Sequence, residues 1–479
     1  MTRILASRVF SSADQQDFAR LSSDFNPMHL DQDFARRTQV GAPVVHGIHN
    51  LVWAANAALA AFPFKVANIS ARFLQPLYLD ETASVRLKTM TGERIDIEVV
   101  AAGTVVATIK LSSKPAKIDV DARRLAPAAP APLREPADSA FETLAEQIGA
   151  AAVADFDAQS LCPALVDAIG PASIKALLAT SQIVGMRCPG LHSLFAGLSM
   201  NFASEAGESS LAYAVSKIDA RFRSLQIDVR GHGATGRLDA FARPAPPAQA
   251  SVAEISARME GQNFAGQTAL IIGGSRGLGE VTAKIIAAGG GHPIITYRES
   301  RREAERVAAE IRKSGGRCDS LQYDALRPAA AQLQETPRID CLYYFATPKI
   351  FQRKSALFEA DKLRTFLACY VDGFFDLCTA LARGGSDRLA VFYPSTVAID
   401  EPVNGTAEYA MAKAAGEILA GHISRFMPNI EIVNRRLPRI LTDQTATVGV
   451  ARAANALDVM LPIVYEVQQI AARSAPSND

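Results

Sequence analysis

The chain has 479 residues, of which 49% are hydrophobic and 21% are charged, and its formal net charge is +1. The length predicts about three domains, and the near-neutral charge gives no global field that would favour nucleic acid or a membrane surface as a partner. The six cysteines form no Cys-x-x-Cys pair, the N-terminus lacks an apolar signal region, and no uninterrupted apolar run is long enough to cross a bilayer. We therefore expect a soluble cytoplasmic protein with reduced thiols.

Residues 1–114 are predicted to form an antiparallel sheet around one long helix. Residues 44–61 are apolar and rich in small side chains, as expected of a buried helix that a sheet approaches closely. Residues 95–99 and 107–111 alternate between apolar and polar types with period two, which is typical of half-buried strands. The intervening pair Ala102-Gly103 is typical of a hairpin turn.

Residues 115–136 are predicted to be a linker, because the Pro/Ala-rich part from residue 126 cannot continue a helix. Residues 137–262 then repeat the order of the first domain, with a helix predicted at 173–184 and strands at 210–218, 221–230 and 234–242. The pattern indicates a structural duplication. We interpret His192, a notable polar residue of this second domain, as structural and expect the domain to be non-catalytic.

Residues 263–479 show a different pattern, in which strands and helices alternate. Strands are predicted at 268–272, 293–297, 341–345 and 389–393, and the first is a continuous apolar run, as a strand buried on both faces requires. This alternation predicts a Rossmann-type, doubly wound parallel sheet. The chain is thus expected to be multidomain, with α+β architecture followed by α/β.

The first candidate site lies in Asp24-Phe25-Asn26-Pro27-Met28-His29. Because the proline restricts Asn26 and itself, the segment forms a turn that can bring Asp24 and His29 to the same side of a cavity. An acid and an imidazole so placed suit acid-base work on a water molecule. A bare spacing of this kind more often means a capped turn and a surface histidine, so the residue pair alone does not establish a site.

The surrounding segment, residues 10–47, resembles the MaoC-like, (R)-specific enoyl-CoA hydratase family, and residues 72–77 resemble its next strand. The resemblance implies a hot-dog fold for residues 1–114, which the second domain would complete as a double hot-dog. It also implies that Asp24 and His29 activate water for addition across a trans-2-enoyl thioester. Asn26 would line the site, and a backbone N–H near Gly47 would polarise the thioester carbonyl at a helix N-terminus.

The second candidate site begins with a glycine-rich turn, residues 273–279, which follows an apolar strand and opens a helix. This context is typical of a dinucleotide-binding turn. Tyr409 and Lys413 are spaced i, i+4 and share one face of a helix, where the lysine favours the phenolate. Ser395, after a predicted strand, can hydrogen-bond a substrate oxygen.

Residues 264–440 resemble the short-chain dehydrogenase/reductase family, and within it the 3-oxoacyl thioester reductases. The resemblance implies that Tyr409 protonates the substrate oxygen, that Lys413 holds the nicotinamide ribose, that Ser395 orients the carbonyl and that Asp324 lies near the adenine. The residues implied to bind the cofactor are Gly273, Ser275, Arg276, Gly277, Leu278, Gly279, Arg298, Asp324, Ala346, Tyr409 and Lys413.

The expected cofactor is NADP(H). An NAD-selecting domain usually ends its second strand with an acid, whereas this chain has Arg298 there and Arg276 in the turn. Arginines suit a 2′-phosphate. The chain departs from the family at residues 344–347, where Tyr-Phe-Ala-Thr replaces Asn-Asn-Ala-Gly, and at Tyr370, which replaces an asparagine.

The two activities share an intermediate, because hydration of an enoyl thioester gives the (R)-3-hydroxyacyl thioester that the reductase interconverts with a 3-oxoacyl thioester. We therefore predict a bifunctional enzyme that acts on a CoA or acyl carrier protein thioester, without a metal and as a homo-oligomer. One alternative is a hydratase with an inactive, nucleotide-binding reductase domain. Another is a non-enzymatic thioester-binding scaffold.

Overall fold

The computed structural model describes residues 3–125, 129–130, 133–203, 209–259, 264–350, 356–384, 388–440, 442 and 453–473. These residues divide into two compact units with a boundary between Ala245 and Pro246. Each unit has its own sheet, antiparallel in the first and parallel in the second.

The first unit contains ten strands in a single antiparallel sheet, ordered β1-β3-β4-β5-β2-β7-β10-β9-β8-β6. Its strands are β1 (Ile4–Val9), β2 (Asn68–Phe73), β3 (Thr82–Thr91), β4 (Arg94–Ala101), β5 (Thr104–Ser112), β6 (Ile148–Ala151), β7 (Ser193–Phe202), β8 (Leu211–Asp219), β9 (Ser224–Gly231) and β10 (Ala234–Ala242). Its helices are α1 (Ser12–Ser22), α2 (Pro27–Leu30), α3 (Gln32–Arg36), α4 (Gly47–Ala61), α5 (Ala158–Leu161), α6 (Pro163–Ile169) and α7 (Pro171–Gln182), which continues as a π-helical turn, Ile183–Arg187.

The sheet order confirms the predicted double hot-dog. Read outward from the β2–β7 seam, β2-β5-β4-β3-β1 on one side corresponds to β7-β10-β9-β8-β6 on the other. The two long helices, α4 and α7, occupy equivalent places in their halves, and their apolar residues are part of one core. At the seam, a Cβ on Gly197 would lie 2.6 Å from the carbonyl oxygen of Ala71, so this close strand pairing requires glycine.

The second unit is a six-stranded parallel sheet, ordered β13-β12-β11-β14-β15-β16, with helices between its strands, as predicted. The strands are β11 (Thr268–Ile272), β12 (His292–Tyr297), β13 (Asp319–Gln322), β14 (Cys341–Tyr344), β15 (Leu389–Thr396) and β16 (Ile430–Leu437). The helices are α8 (Val252–Ser256), α9 (Gly277–Ala288), α10 (Arg301–Lys313), α11 (Ala329–Gln332), α12 (Ala360–Leu367), α13 (Gly373–Arg383), α14 (Ala407–Phe426) and α15 (Ala456–Ala472), and a π-helical turn, Ala368–Asp372, joins α12 to α13.

The helical run Ala360–Arg383 has the length and apolar composition of a membrane span. Asp372 and Asp376 interrupt its apolar residues, so the run is not a continuous apolar stretch in the sequence. Within the unit, the α13 side chains of Phe374 and Leu377 are fully buried in the core beside the parallel sheet. One face of α13 therefore packs beside the parallel sheet, while Phe375 on another face is exposed.

Candidate functional site

The Asn-Pro turn of the first unit is fixed by the Asn26 side chain. Its Oδ1 accepts a hydrogen bond from the backbone N–H of Met28 (3.0 Å), and Pro27 is the first residue of α2. Its Nδ2 donates to the carbonyl oxygens of Gly185 (2.8 Å) and Gly190 (3.2 Å). Through these hydrogen bonds, Asn26 joins the turn to the second half of the double hot-dog.

Asp24 is buried beside helix α7 and the turn that continues it. Its Oδ2 accepts a hydrogen bond from the hydroxyl of Ser181 (2.7 Å). A Cβ on Gly185 would lie 2.2 Å from its Oδ1, so the carboxylate occupies space that any larger residue would fill. Burial raises the pKa of Asp24, while the nearby His29 and the Ser181 hydrogen bond lower it. The raised pKa keeps the carboxyl group protonated over a wider pH range than that of an exposed aspartate.

His29 is held in one orientation next to this carboxyl group. Its Nδ1 lies 2.7 Å from the carbonyl oxygen of Val44, which can only accept, so Nδ1 carries the proton and Nε2 is left as a base. Its ring stacks on that of His46 at 3.7 Å. Burial lowers the pKa of His29, and Asp24 opposes that change. A neutral imidazole beside a carboxyl group of raised pKa is an acid-base pair.

His46 completes the cluster but has no free nitrogen. Its Nδ1 contacts Oε1 of Gln15 (2.9 Å), and its Nε2 contacts the carbonyl oxygen of Asp24 (3.1 Å). Ligand atoms of Asp24, His29 and His46 lie within 4.8 Å of one another, as a metal site would require. Since both nitrogens of His46 face other partners, we interpret His46 as a support for the pair.

Gly47 is the first residue of α4, whose N-terminus has no side-chain cap from His46. The N–H groups of a first helical turn have no intrahelical partner and attract negative charge. A Cβ on Gly47 would lie 3.1 Å from the ring of Phe73. The glycine thus lets this ring pack against the helix N-terminus, where a carbonyl oxygen was predicted to bind.

In the second unit, the glycine turn between β11 and α9 has the geometry of a phosphate cradle. Gly273 has a φ of +79°, and its N–H donates to the hydroxyl of Thr296 (2.9 Å). A Cβ on Gly279 would lie 2.2 Å from the carbonyl oxygen of Gly273, so a larger residue would block the turn. The 12-residue helix α9 begins at Gly277, and its N-terminus can bind phosphate.

The Ser-Tyr-Lys set lies on two neighbouring elements. Ser395 is buried near the end of β15, where its hydroxyl interacts with the Glu417 carboxylate and helps to lower the pKa of that group. Tyr409 and Lys413 lie one turn apart on α14, and the Lys413 Nζ donates to the carbonyl oxygen of Pro394 (2.6 Å). Burial raises the pKa of Tyr409, which the Thr396 hydroxyl opposes. Burial lowers the pKa of Lys413 to about 7.

The residues that depart from the family pattern contact one another. The Lys413 Nζ lies 4.0 Å from the centroid of the Tyr370 ring, which also packs edge-on to the Tyr409 ring. The Tyr370 hydroxyl lies 2.5 Å from Oγ1 of Thr347. Nearby, the Tyr344 hydroxyl donates to the carbonyl oxygen of Cys369 (2.7 Å). The changes at 344–347 and at 370 therefore form one connected cluster around the lysine.

The remaining predicted cofactor residues lie at the ends of the strands. Arg298 follows β12 and is half exposed, but its Nε donates to the carboxylate of Glu299 (2.9 Å). This acid was missed in the sequence, although it directly follows the arginine. Asp324 caps a turn through the N–H of Leu326 (3.0 Å), and Ala346 is half-buried just after β14. Ser275 is buried, and Arg276 is the residue before α9.

Comparison with known proteins identifies a domain in each unit. The family described as MaoC like domain matches residues 3–110, and short chain dehydrogenase matches residues 267–446. The (R)-specific enoyl-CoA hydratase of Aeromonas caviae is 32% identical over 93 residues, which are 19% of this chain and 63% of that protein.

Two solved structures are similar to the second unit. A short-chain dehydrogenase/reductase from Serratia marcescens BCRC 10948 is 23% identical with a TM-score of 0.40, covering 44% of this chain and 95% of that one. A 3-oxoacyl (acyl-carrier-protein) reductase from Agrobacterium tumefaciens C58, solved with NADP bound, is 21% identical with a TM-score of 0.37, covering 43% and 88% respectively.

Proposed function

From a chain that joins a MaoC-like hydratase domain to a short-chain dehydrogenase domain, we propose a bifunctional enzyme of 3-hydroxyacyl thioesters. The first unit hydrates a trans-2-enoyl thioester to the (R)-3-hydroxyacyl thioester, or dehydrates it. The second unit interconverts that product with a 3-oxoacyl thioester, using NADP(H). The carrier is CoA or an acyl carrier protein. The placement of Asp24 and His29 against Ser181, Gly185 and Val44 is the observation that carries the proposal.

The hydration step follows from these contacts. The two side chains place their polar atoms within 4.8 Å of each other, a span that one water molecule can bridge. Nε2 of His29 removes a proton as the water oxygen attacks C3, and Asp24, with its raised pKa, delivers a proton to C2. The charge that develops on the thioester oxygen is stabilised by the N-terminus of α4 at Gly47.

The residues of the second unit fit a dinucleotide. The turn at Gly273 and Gly279 leaves room only for glycine, which suits close approach of phosphates, and Ser395 is buried at the end of the neighbouring strand β15. The bound cofactor would supply or accept a hydride. Tyr409 would protonate the substrate oxygen, Ser395 would donate a hydrogen bond to it, and the Lys413 ammonium would favour the phenolate.

Two assays on the same preparation test the proposal: hydration of crotonyl-CoA, and reduction of acetoacetyl-CoA with NADPH. We expect both activities. Absence of hydration would contradict the first half of the proposal. Hydration without reduction, across short and long 3-oxoacyl-CoA and carrier-protein substrates, would instead support a hydratase with an inactive reductase domain, which the Tyr370 cluster around Lys413 favours.

Cofactor choice has its own test, because Glu299 partly neutralises Arg298. NADPH and NADH should be titrated against the wild type and against Arg276→Gln and Glu299→Gln variants. If the arginines select the 2′-phosphate, the wild type binds NADPH more tightly than NADH. Arg276→Gln should then reduce this difference in affinity, and Glu299→Gln should increase it. Equal or tighter binding of NADH by the wild type would contradict the proposed cofactor.

A further inference from the structure

A buried arginine near the hydratase pair has unsatisfied hydrogen-bond donors. Arg243 directly follows β10, its exposed fraction is 6%, and its Nε and Nη2 have no hydrogen-bond partner in the described part of the chain. Its backbone N–H donates to the carbonyl oxygen of His192 (2.8 Å). The residues just before His192, Gly190 and Leu191, accept hydrogen bonds from the Asn26 amide at 3.2 and 3.4 Å. Arg243 is therefore connected to the turn of Asn26 through these three hydrogen bonds and the segment 190–192.

The guanidinium of Arg243 is charged at neutral pH. Burial lowers its pKa only to about 10, and its positive charge lowers the pKa of both His29 and His192. Within the described ranges, no carboxylate forms an ion pair with Arg243. Because an unpaired buried charge is costly, a buried guanidinium with two nitrogens that lack partners points to an anionic ligand.

Arg237, on the strand β10 that precedes Arg243, shows which ligand these two nitrogens can bind. Arg237 binds the carboxylate of Asp228 through Nε (2.6 Å) and Nη2 (3.2 Å), with one oxygen on each nitrogen. These are the two nitrogens of Arg243 that lack partners. Two parallel N–H groups match the two oxygens of a carboxylate, whereas a thioester carbonyl has a single oxygen.

We propose that Arg243 binds a second carboxylate on the acyl group, so that the hydratase site takes enoyl thioesters of dicarboxylic acids. This inference rests on the proposed hydratase function and specifies its substrate class. The thioester end lies at Gly47, and the far end of the acyl chain reaches the second half of the double hot-dog, where Arg243 lies.

The test compares charged and uncharged substrates. CoA thioesters of trans-2-pentenedioic and trans-2-hexenedioic acid are set against their uncharged counterparts, 5-methyl-trans-2-hexenoyl-CoA and 6-methyl-trans-2-heptenoyl-CoA. Since hydrogen bonds to a charged group are strong, we expect kcat/KM for the better dicarboxylic substrate to exceed that of its counterpart by about 10- to 100-fold. Arg243→Met should remove most of this preference, and the matched control Arg230→Met, at an exposed position on β9, should keep it.

Two outcomes would overturn the inference. One is the absence of a preference in the wild type. The other is an equal loss of kcat/KM for charged and uncharged substrates in Arg243→Met, which would mean that Arg243 acts on the shared thioester end or on the fold.

A binding measurement covers the cases in which the variant does not fold or hydration is absent. Glutaryl-CoA should bind the wild type at least about tenfold more tightly than 5-methylhexanoyl-CoA, and equal binding overturns the inference. If the proposed hydratase function fails instead, neither substrate class is hydrated, while this difference in binding is still measurable.

Discussion

The two candidate sites place their proposed catalytic residues in opposite kinds of surroundings. Around Asp24, the neighbours are small or polar, namely the Ser181 hydroxyl and the Gly185 backbone. Around Lys413, the neighbours are rings, with Tyr370 at 4.0 Å and Tyr393 at 4.9 Å from Nζ. The first environment suits a reaction that consumes water. In the second environment, burial lowers the pKa of Lys413 to about 7, which favours the uncharged amine.

The two sites also differ in which part of their unit supplies the supporting residues. In the first unit, the half without an acid-base pair supplies helix α7 and its turn as a wall for the pair in the other half. In the second unit, the supporting residues come from the same parallel sheet domain, and Tyr344, Thr347 and Tyr370 are changed together. The candidate hydratase site is therefore built from both halves of its unit, whereas the candidate reductase site is built within one parallel-sheet domain.

The largest effect is expected at the hydratase pair. Asp24→Asn keeps the size of the side chain but removes its exchangeable proton, so hydration of crotonyl-CoA should fall by about 10² to 10⁴-fold. Reduction of acetoacetyl-CoA should not change, because the units have separate cores. The exposed control Asp17→Asn should behave as the wild type, and unchanged hydration in Asp24→Asn would exclude this residue from the mechanism.

A comparable loss is expected in the second unit from Tyr409→Phe, which keeps the ring and deletes the proton donor. The variant should bind NADPH as the wild type does, yet lose about 10²-fold or more in reductase turnover. Tyr465→Phe, which removes the hydroxyl of a tyrosine on α15, is the control. If the wild type and Tyr409→Phe reduce 3-oxoacyl thioesters equally, the second unit is better described as a nucleotide-binding module.

The sequence predicted those features that depend on residues close together in the chain. The family resemblances of residues 10–47 and 264–440 predicted the two residue pairs. Period-two alternation predicted the antiparallel sheet, and the alternation of strands and helices predicted the parallel sheet. The sequence was uninformative where contacts join distant segments, as for Ser181, which is 157 positions from the aspartate it contacts. The seam strand β7 was not predicted because its apolar run contains Gly197, whose role as a close-contact residue emerges only when β2 is paired with it.

Protonation of Lys413 should make the reductase activity of the second unit depend on pH. Since burial lowers its pKa to about 7, the ammonium form is lost as the pH rises through neutrality. The kcat/KM for NADPH, which reports the free enzyme, should therefore fall by about tenfold or more between pH 6.5 and 8.5. Lys413→Arg remains charged and should show a flatter profile over this range. A flat profile in the wild type, with circular dichroism unchanged across it, would contradict a neutralising lysine.

The smallest effect is expected from Ser181→Ala, which tests whether the second half of the double hot-dog supports the first. Its hydroxyl donates to Asp24 and favours the ionised carboxylate, so its loss should raise the pKa of Asp24 further. A hydrogen bond to a charged group is worth about 1.5 kcal/mol or more, and we expect kcat/KM for crotonyl-CoA to fall by roughly tenfold.

The pH profile of Ser181→Ala provides the sharper readout, because a merely structural defect would lower the rate without moving the profile. The limb that reports ionisation of Asp24 should shift to higher pH, since the protonated form is then favoured over a wider range. Ser173→Ala removes another buried serine hydroxyl from the same helix and should leave that limb in place. If both variants lower the rate equally and neither moves the profile, α7 contributes packing alone, and the hydratase pair is supported by its own half.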